Sequence, residues 1–250
     1  MIFTNQDFKR NYKQIVLKKI GIIGQKKIQK SKVLVIGVGG LGCPLIMYLA
    51  NSGICNIGVV DHDKVDLSNL NRQILFTPKD VGKLKVDIAK KILKKINKKI
   101  KVSCYQKKIS KQNIEEIISK FDIICDGSDN FETRYLVNDF CLKKKKILIS
   151  AAISKFDGHI FNFNFKKKTP CLRCFMPEMP SVSNNCESEG IMSTVAGMAG
   201  TLQANEVINT IINPNNTMKG KMIAFNSLTS NFRKIKLSRS LKCIKDCSKR

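Results

Sequence analysis

Val33-Leu34-Val35-Ile36-Gly37-Val38-Gly39-Gly40-Leu41-Gly42 runs four apolar residues straight into a glycine-rich turn, and the next apolar run, Ile57-Gly58-Val59-Val60, closes on Asp61. Strand, bare turn, helix, strand, acid is the order that cradles a dinucleotide or ATP. The glycines let the backbone approach phosphate, the start of the following helix offers unpaired N–H groups, and the acid accepts from ribose hydroxyls. Gly37, Gly39, Gly40, Gly42 and Asp61 are therefore candidate nucleotide-binding residues. Alone they specify an adenine nucleotide and nothing finer.

Working outward, residues 5–30 read as a basic, partly amphipathic helical arm. Strands at 32–37, 57–61, 101–106, 121–125 and 147–151 alternate with helices at 41–51, 83–98, 111–119 and 130–144, around an irregular polar segment, 62–82. Alternation of this kind makes a doubly wound, mostly parallel sheet the economical fold, with ligand at the carboxyl ends of the strands. After residue 152 the period changes to two: His159-Ile160-Phe161-Asn162-Phe163-Asn164-Phe165 alternates as a half-buried antiparallel strand does. Residues 166–190 lack clean periodicity and are expected to form a crossing loop, followed by a helix at 193–212 and strands near 221–226 and 232–237. The expectation is a Rossmann-like α/β sheet extended by antiparallel strands, in one domain spanning 1–250.

The net charge of +26 comes from 45 Lys and Arg against 19 Asp and Glu. Such a field attracts polyanions, yet only 7 of the 45 are Arg, and the Lys residues are spread through nearly every segment. A lysine bias on solvated faces explains this better than a nucleic-acid groove, and an acidic protein partner is compatible with it. Ten cysteines behind an N-terminus with no signal-peptide core point to a reducing compartment, the cytoplasm. Ile191 to Ile212 carries Gln203, Asn205 and Glu206 and reads as a buried helix, not a membrane span.

Chemistry concentrates in four places. Ser68-Asn69-Leu70-Asn71-Arg72-Gln73 is too polar for core; Arg72 is placed to grip phosphate oxygens, and Lys85 opens the next helix with a second cation. Two cations beside a glycine loop neutralise charge as a phosphoanhydride breaks. Asp126-Gly127-Ser128-Asp129-Asn130 ends the fourth strand; of its two acids Asp129 is the favoured Mg²⁺ ligand, with a helix cap as the alternative. Cys171-x-x-Cys174 is half of a tetrahedral thiolate site that Cys243 and Cys247 can complete, pinning the crossing loop with structural Zn²⁺; a redox dithiol is the rival. Cys186 lies just before a helix, where a thiol becomes nucleophilic. Cys43, Cys55, Cys104, Cys125 and Cys141 fall on apolar faces and read as core, and neither His62 nor His159 has a readable catalytic partner.

These motifs, with Glu189-Gly190 and Gly200-Thr201-Leu202-Gln203-Ala204, occur in an order that resembles the adenylyltransferases of ubiquitin-like sulfur carriers, the HesA/MoeB/ThiF family, from about residue 7 to 247. The resemblance implies a homodimer that joins AMP from ATP to the C-terminal Gly-Gly carboxylate of a sulfur-carrier protein, releasing pyrophosphate, in molybdopterin or thiamine-thiazole biosynthesis. It implies Asp61 on the ribose, Arg72 and Lys85 on the phosphates, Asp129 on Mg²⁺, and Ser68, Asn69, Asn71 and Asn130 among the nucleotide contacts. Where the family has an arm arginine that reaches the neighbouring subunit's phosphates, this chain has Lys13, with Arg10 nearby as a substitute. The spacing from Cys243 to Cys247 is one residue longer than the family's usual pair. No rhodanese-like domain follows, so sulfur is expected from a separate persulfide donor. Competing expectations are a tRNA-modifying ATP-dependent dehydratase of the same superfamily, a nicotinamide-dependent oxidoreductase, which leaves Arg72, Lys85 and the cysteine pairs unused, and an inactive scaffold.

Overall fold

In the computed structural model, which describes residues 3–167, 169–180, 190–213, 215, 218 and 220–240, the chain runs α1 (Asn5–Ile15), α2 (Gly21–Lys30), β1 (Lys32–Ile36), α3 (Gly42–Asn51), β2 (Asn56–Val60), α4 (Lys85–Ile96), β3 (Lys101–Tyr105) and α5 (Ile114–Ile118). It continues through β4 (Ile123–Asp126), α6 (Phe131–Lys143), β5 (Ile147–Ser154), β6 (Asp157–Asn164), α7 (Leu172–Phe175), α8 (Ser193–Ile212), β7 (Lys221–Asn226) and β8 (Asn231–Lys236). Strands β1, β2 and β4 are apolar almost throughout because helices cover both faces of a parallel sheet.

All eight strands join one sheet in the order β3-β2-β1-β4-β5-β6-β7-β8. The first five pair in parallel and the last three antiparallel, as expected. The direction of strand progression reverses between β1 and β4, which opens a crevice beyond their carboxyl ends. Register makes that crevice sharp: Ile36 pairs with Val60 on one side and Asp126 on the other. Gly37, Asp61 and Gly127 therefore emerge at the same level.

One face is covered by α2, α3, α4 and α8, with Ile28, Leu45, Leu49, Leu93 and Val207 in its core; α5 and α6 cover the other, around Ile117, Tyr135 and Val137. On β6 the period-two pattern sends Ile160 to the α8 side and Phe161 and Phe163 to the other. On the α8 side, Asn162 Nδ2 donates to the buried Glu206 carboxylate at 3.1 Å. No helix among the described residues is long and apolar enough to cross a membrane.

Two expectations are refined. The arm is two helices, α1 and α2, broken before Gly21, whose φ of 55° suits glycine. Thr4 and Asp7 form a capping box that starts α1, and Asp7 pairs with Lys99 at 2.8 Å, so the arm is tied to the segment just ahead of β3. Among its described residues the crossing segment contains a helical turn, α7, with Cys171 at its N-cap, so the Cys171–Cys174 pair sits on that turn and not in a plain loop.

Gly42 lets α3 begin where it does. A Cβ there would lie 2.0 Å from the Gly37 carbonyl oxygen, an obstacle made of backbone. Gly42→Ala is expected to cost at least about 1–3 kcal/mol, read as a lower urea midpoint at unchanged m value; an unaltered midpoint would contradict this packing.

Candidate active site

The glycine loop between β1 and α3 has to be bare. Gly37 sits at φ 87°, and a Cβ on it would lie 2.9 Å from the Gly127 carbonyl oxygen, so the loops after β1 and β4 touch. Gly200 of α8 presses in from above, its would-be Cβ 2.3 Å from Leu41 O. The N-cap of α3, Leu41, offers no side-chain hydrogen bond, so the first N–H groups of that helix face the crevice without a side-chain acceptor at the cap.

Asp61 is buried at the end of β2. Its Oδ2 accepts from Val38 N–H at 2.7 Å and its Oδ1 from Asp63 N–H at 2.8 Å, which leaves part of its acceptor capacity for ribose hydroxyls. Burial raises its carboxyl above the usual aspartate value of 3.8; the Lys85 ammonium and the two N–H donors oppose that rise. Lys85 is itself buried and pairs with Asp63 Oδ2 at 3.0 Å. Asp61, His62 and Asp63 bring their ligand atoms within 4.8 Å of one another, a grouping no motif announced, with Lys85 already pairing one of the acids.

Ionised Asp61 shapes the loop, so nucleotide affinity should decline on acidification through a midpoint above 3.8. A carboxyl raised by folding favours the folded state when protonated, so this group's contribution to stability falls as pH rises through the same midpoint. Affinity and Asp61-linked stability thus move in opposite directions with pH. ATP titrations from pH 7 downward, on wild type and Asp61→Asn, check this; an identical acid decline in both proteins would contradict it.

Arg72 leaves the turn that follows the 3₁₀ segment Leu67–Asn69, which Asp66 caps by accepting from Ser68 N–H at 2.8 Å and Ser68 Oγ at 2.6 Å. Asn69 O accepts from both Arg72 N–H and Gln73 N–H, which aims the two side chains at the glycine loop. A Cβ on Gly40 would meet Arg72 Cγ at 3.4 Å, so the arginine stem lies directly against the loop. Its guanidinium donates from Nη1 to Ser68 O and Asn71 Oδ1, both at 3.1 Å. These are exposed bonds, open to exchange for phosphate oxygens. Ser68, Asn69 and Asn71 thus shape the turn that presents Arg72.

Across the crevice, Asp126 is fully buried. It accepts from Ser128 N–H at 3.0 Å, Ser128 Oγ at 2.6 Å and Ser150 Oγ at 2.7 Å, and lies 3.8 Å from Arg134 Nη1. Arg134, 7% exposed, also donates to Ala151 O at 2.8 Å and Ser128 O at 2.6 Å. Asp126 is thus committed to structure, and Asp129 is the exposed acid of the pair. The cap of α6 is Asn130, whose Oδ1 accepts from Thr133 N–H at 2.9 Å while its Nδ2 donates to Asp129. Sequence reasoning missed Arg134 and Ser150. It quoted Gln203 without a role; that side chain donates to Asp126 O at 2.9 Å and Ile149 O at 2.8 Å and ties α8 to the strand ends.

The Cys171–Cys174 turn rests on α6. Asn138 Oδ1 accepts from Leu172 N–H, Arg173 forms a two-pronged pair with Asp139, and the Tyr135 hydroxyl lies 2.8 Å from the carbonyl oxygens of Met176 and Glu178. The two sulfurs lie 4.0 Å apart, close to the roughly 3.8 Å that tetrahedral zinc with 2.3 Å Zn–S bonds requires. The donor set therefore suits zinc. Cys186, Cys243 and Cys247 lie outside the described residues.

Lys13 is exposed in the last turn of α1 and is not brought to the glycine loop of its own chain. Gln14 of α1 and Gln25 of α2 both donate to Ser52 O, at the far end of α3 from Gly42. That helix has ten residues, about 15 Å. A role for Lys13 or Arg10 at phosphate thus requires a second copy of the chain. Beside the arm, α3 and α8 border a groove of about 560 Å³ that includes Leu17, Tyr48, Ala204 and Ile208.

The ThiF family profile matches residues 12–245. The adenylyltransferase and sulfurtransferase MOCS3 of Culex quinquefasciatus is 39% identical over 236 residues, covering 94% of this chain and 54% of that protein. The sulfur carrier protein adenylyltransferase of Thermus thermophilus is 34% identical over 249 residues, covering 97% of this chain and 92% of that one. The chain spans about half the length of its MOCS3 relatives. Among solved structures, E. coli MccB with AMPCPP and MccA superposes with a TM-score of 0.81 at 25% identity, over 96% of this chain and 73% of that chain.

Proposed function

Because the chain belongs to the ThiF family, we propose that it joins AMP from ATP to the C-terminal carboxylate of a small ubiquitin-like sulfur-carrier protein ending in Gly-Gly. The observation that carries this is Arg72 lying against Gly40, with buried Lys85 beside Asp61. Two cations and a bare loop meet at the switch point of the sheet. A nicotinamide site has no use for them.

A carboxylate is a poor electrophile. Attack of the tail carboxylate on the α-phosphorus forms the acyl–phosphate bond, breaks the bond to pyrophosphate, and leaves a mixed anhydride that sulfur can displace. Asp61 orients the ribose, the glycine loop and the start of α3 hold the phosphates, and Arg72 and Lys85 stabilise the charge that builds on the departing pyrophosphate. Asp129 would hold Mg²⁺, which would supply further neutralisation of the phosphates. Ser68, Asn69, Asn71 and Asn130 support these contacts. Cys186 serves a step after adenylation, and a separate persulfide donor supplies the sulfur. The protein works as a homodimer in which Lys13 or Arg10 of one copy serves the other's phosphates; the apolar groove beside the arm supports that pairing.

Carrier-dependent ATP–pyrophosphate exchange, run with candidate proteins ending in Gly-Gly, tests the assignment. Exchange that needs both carrier and Mg²⁺ supports it. Exchange indifferent to carrier, or hydride transfer with NADH, contradicts it.

Zinc held by Cys171, Cys174, Cys243 and Cys247 has a structural task. Cys171→Ser is expected to reduce bound zinc and to lower the thermal midpoint by roughly 5–10 °C. Wild-type zinc content and melting in that variant would remove the metal assignment.

A further inference from the structure

Gln73 closes the turn that carries Arg72 and is 4% exposed. Its main chain is fixed at both ends: its N–H donates to Asn69 O at 2.9 Å and its carbonyl accepts from Phe76 N–H at 3.0 Å. Its side-chain oxygen is not satisfied in the same way. The buried Oε1 accepts no hydrogen bond among the described residues. The amide borders the glycine loop, since a Cβ built on Gly39 meets Gln73 Nε2 at 3.8 Å and no other neighbouring heavy atom within 4 Å.

A buried amide oxygen without a donor destabilises a fold; of the four such oxygens among the described residues, on Gln25, Gln73, Asn162 and Gln203, that of Gln73 belongs to the amide bordering Gly39 of the phosphate cradle, where a ligand can bring the donor. The phosphates of ATP are acceptors, and the ribose hydroxyls fall to Asp61. The remaining donor next to the reacting atoms is the last peptide N–H of the acyl substrate, two bonds from the attacking carboxylate.

On the adenylation reading of this site, we propose that Gln73 is a substrate-contacting residue for the carrier tail, its Oε1 accepting from the N–H of the terminal glycine. No bond forms to Gln73 and no proton leaves it. It fixes the tail at its last amide so that the carboxylate faces the α-phosphorus, which is where orientation lowers a barrier. The site then selects carboxylates that terminate a peptide and discriminates against simple carboxylic acids.

Gln73→Met keeps the length and removes both polar atoms. The ligand-free variant should melt no lower than wild type and bind Mg-ATP within about threefold, while kcat/KM for the carrier in the exchange assay falls roughly 10- to 100-fold. A semisynthetic carrier ending in sarcosine lacks the N–H. It should slow the wild type by a similar factor and slow Gln73→Met little further, because both changes remove one bond. With an active wild type, equal sarcosine penalties in both enzymes, or a lowered melting point with unaltered carrier kinetics, would overturn the role of Gln73 alone. A wild type that exchanges with no Gly-Gly-ended carrier overturns the adenylation reading and this contact together.

Discussion

Arg72→Ala is expected to lower carrier-dependent ATP–pyrophosphate exchange by about 10³-fold while leaving the thermal midpoint within about 2 °C of wild type. The separation follows from what the side chain touches. Its polar bonds are to Ser68 O and Asn71 Oδ1, both exposed, so little of the fold depends on them. Its stem lies against Gly40, beside the glycine loop proposed to hold the triphosphate. Arg72→Lys should recover part of the rate, since an ammonium keeps the charge but not the planar fork. Activity retained in Arg72→Ala would mean that the phosphates lie elsewhere, and a collapse of the melting curve would make the residue structural.

The second large effect is on stability. Arg134→Leu should cost about 3–5 kcal/mol, a sizeable part of the roughly 5–15 kcal/mol that holds a domain folded. The guanidinium supports Ser128 O and Ala151 O and stands against Asp126, which is fully buried. Removing it leaves that carboxylate without its cation and frees the loop that touches Gly37. Adding Asp126→Asn should restore part of the loss, because the remaining side chain no longer carries an uncompensated charge. Urea unfolding of the single and double variants measures both quantities. A single variant within 1 kcal/mol of wild type, or a double variant worse than the sum of its parts, would contradict the buried pair.

The parallel half of the sheet was legible because strands covered on both faces are written as unbroken apolar runs, as in Val33 to Ile36 and Ile123 to Cys125. The antiparallel extension was legible from the alternation His159 to Phe165, whose two sets of side chains meet different helices. Turn α7 was not, since four residues are too few to establish a helical period. The break between α1 and α2 was also hidden, because amphipathic spacing continues across 16–20.

At the proposed site, the glycines, Asp61, Arg72, Lys85 and Asp129 were singled out by motif and spacing, and the favouring of Asp129 over Asp126 fits their exposed and buried positions. Arg134 was not found, because a helical arginine reads as a surface residue until β5 and the loop after β4 close over it. Gln73 stood in plain view in a quoted motif. Only its burial against Gly39 and its unmet oxygen distinguish it from an ordinary turn residue. The side of the fold on which α1 docks, through Gln14, is a tertiary fact that the helix alone does not encode.

The crevice between β1 and β4 is proposed to make a polypeptide's terminal carboxylate reactive by attaching AMP. Intact-mass measurement of a Gly-Gly-ended carrier, quenched in acid after incubation with the protein, ATP and Mg²⁺, tests it most directly. The predicted result is a carrier heavier by one adenylyl group at its C-terminus, formed with wild type and missing with Arg72→Ala. Consumption of ATP with every carrier unmodified would contradict it.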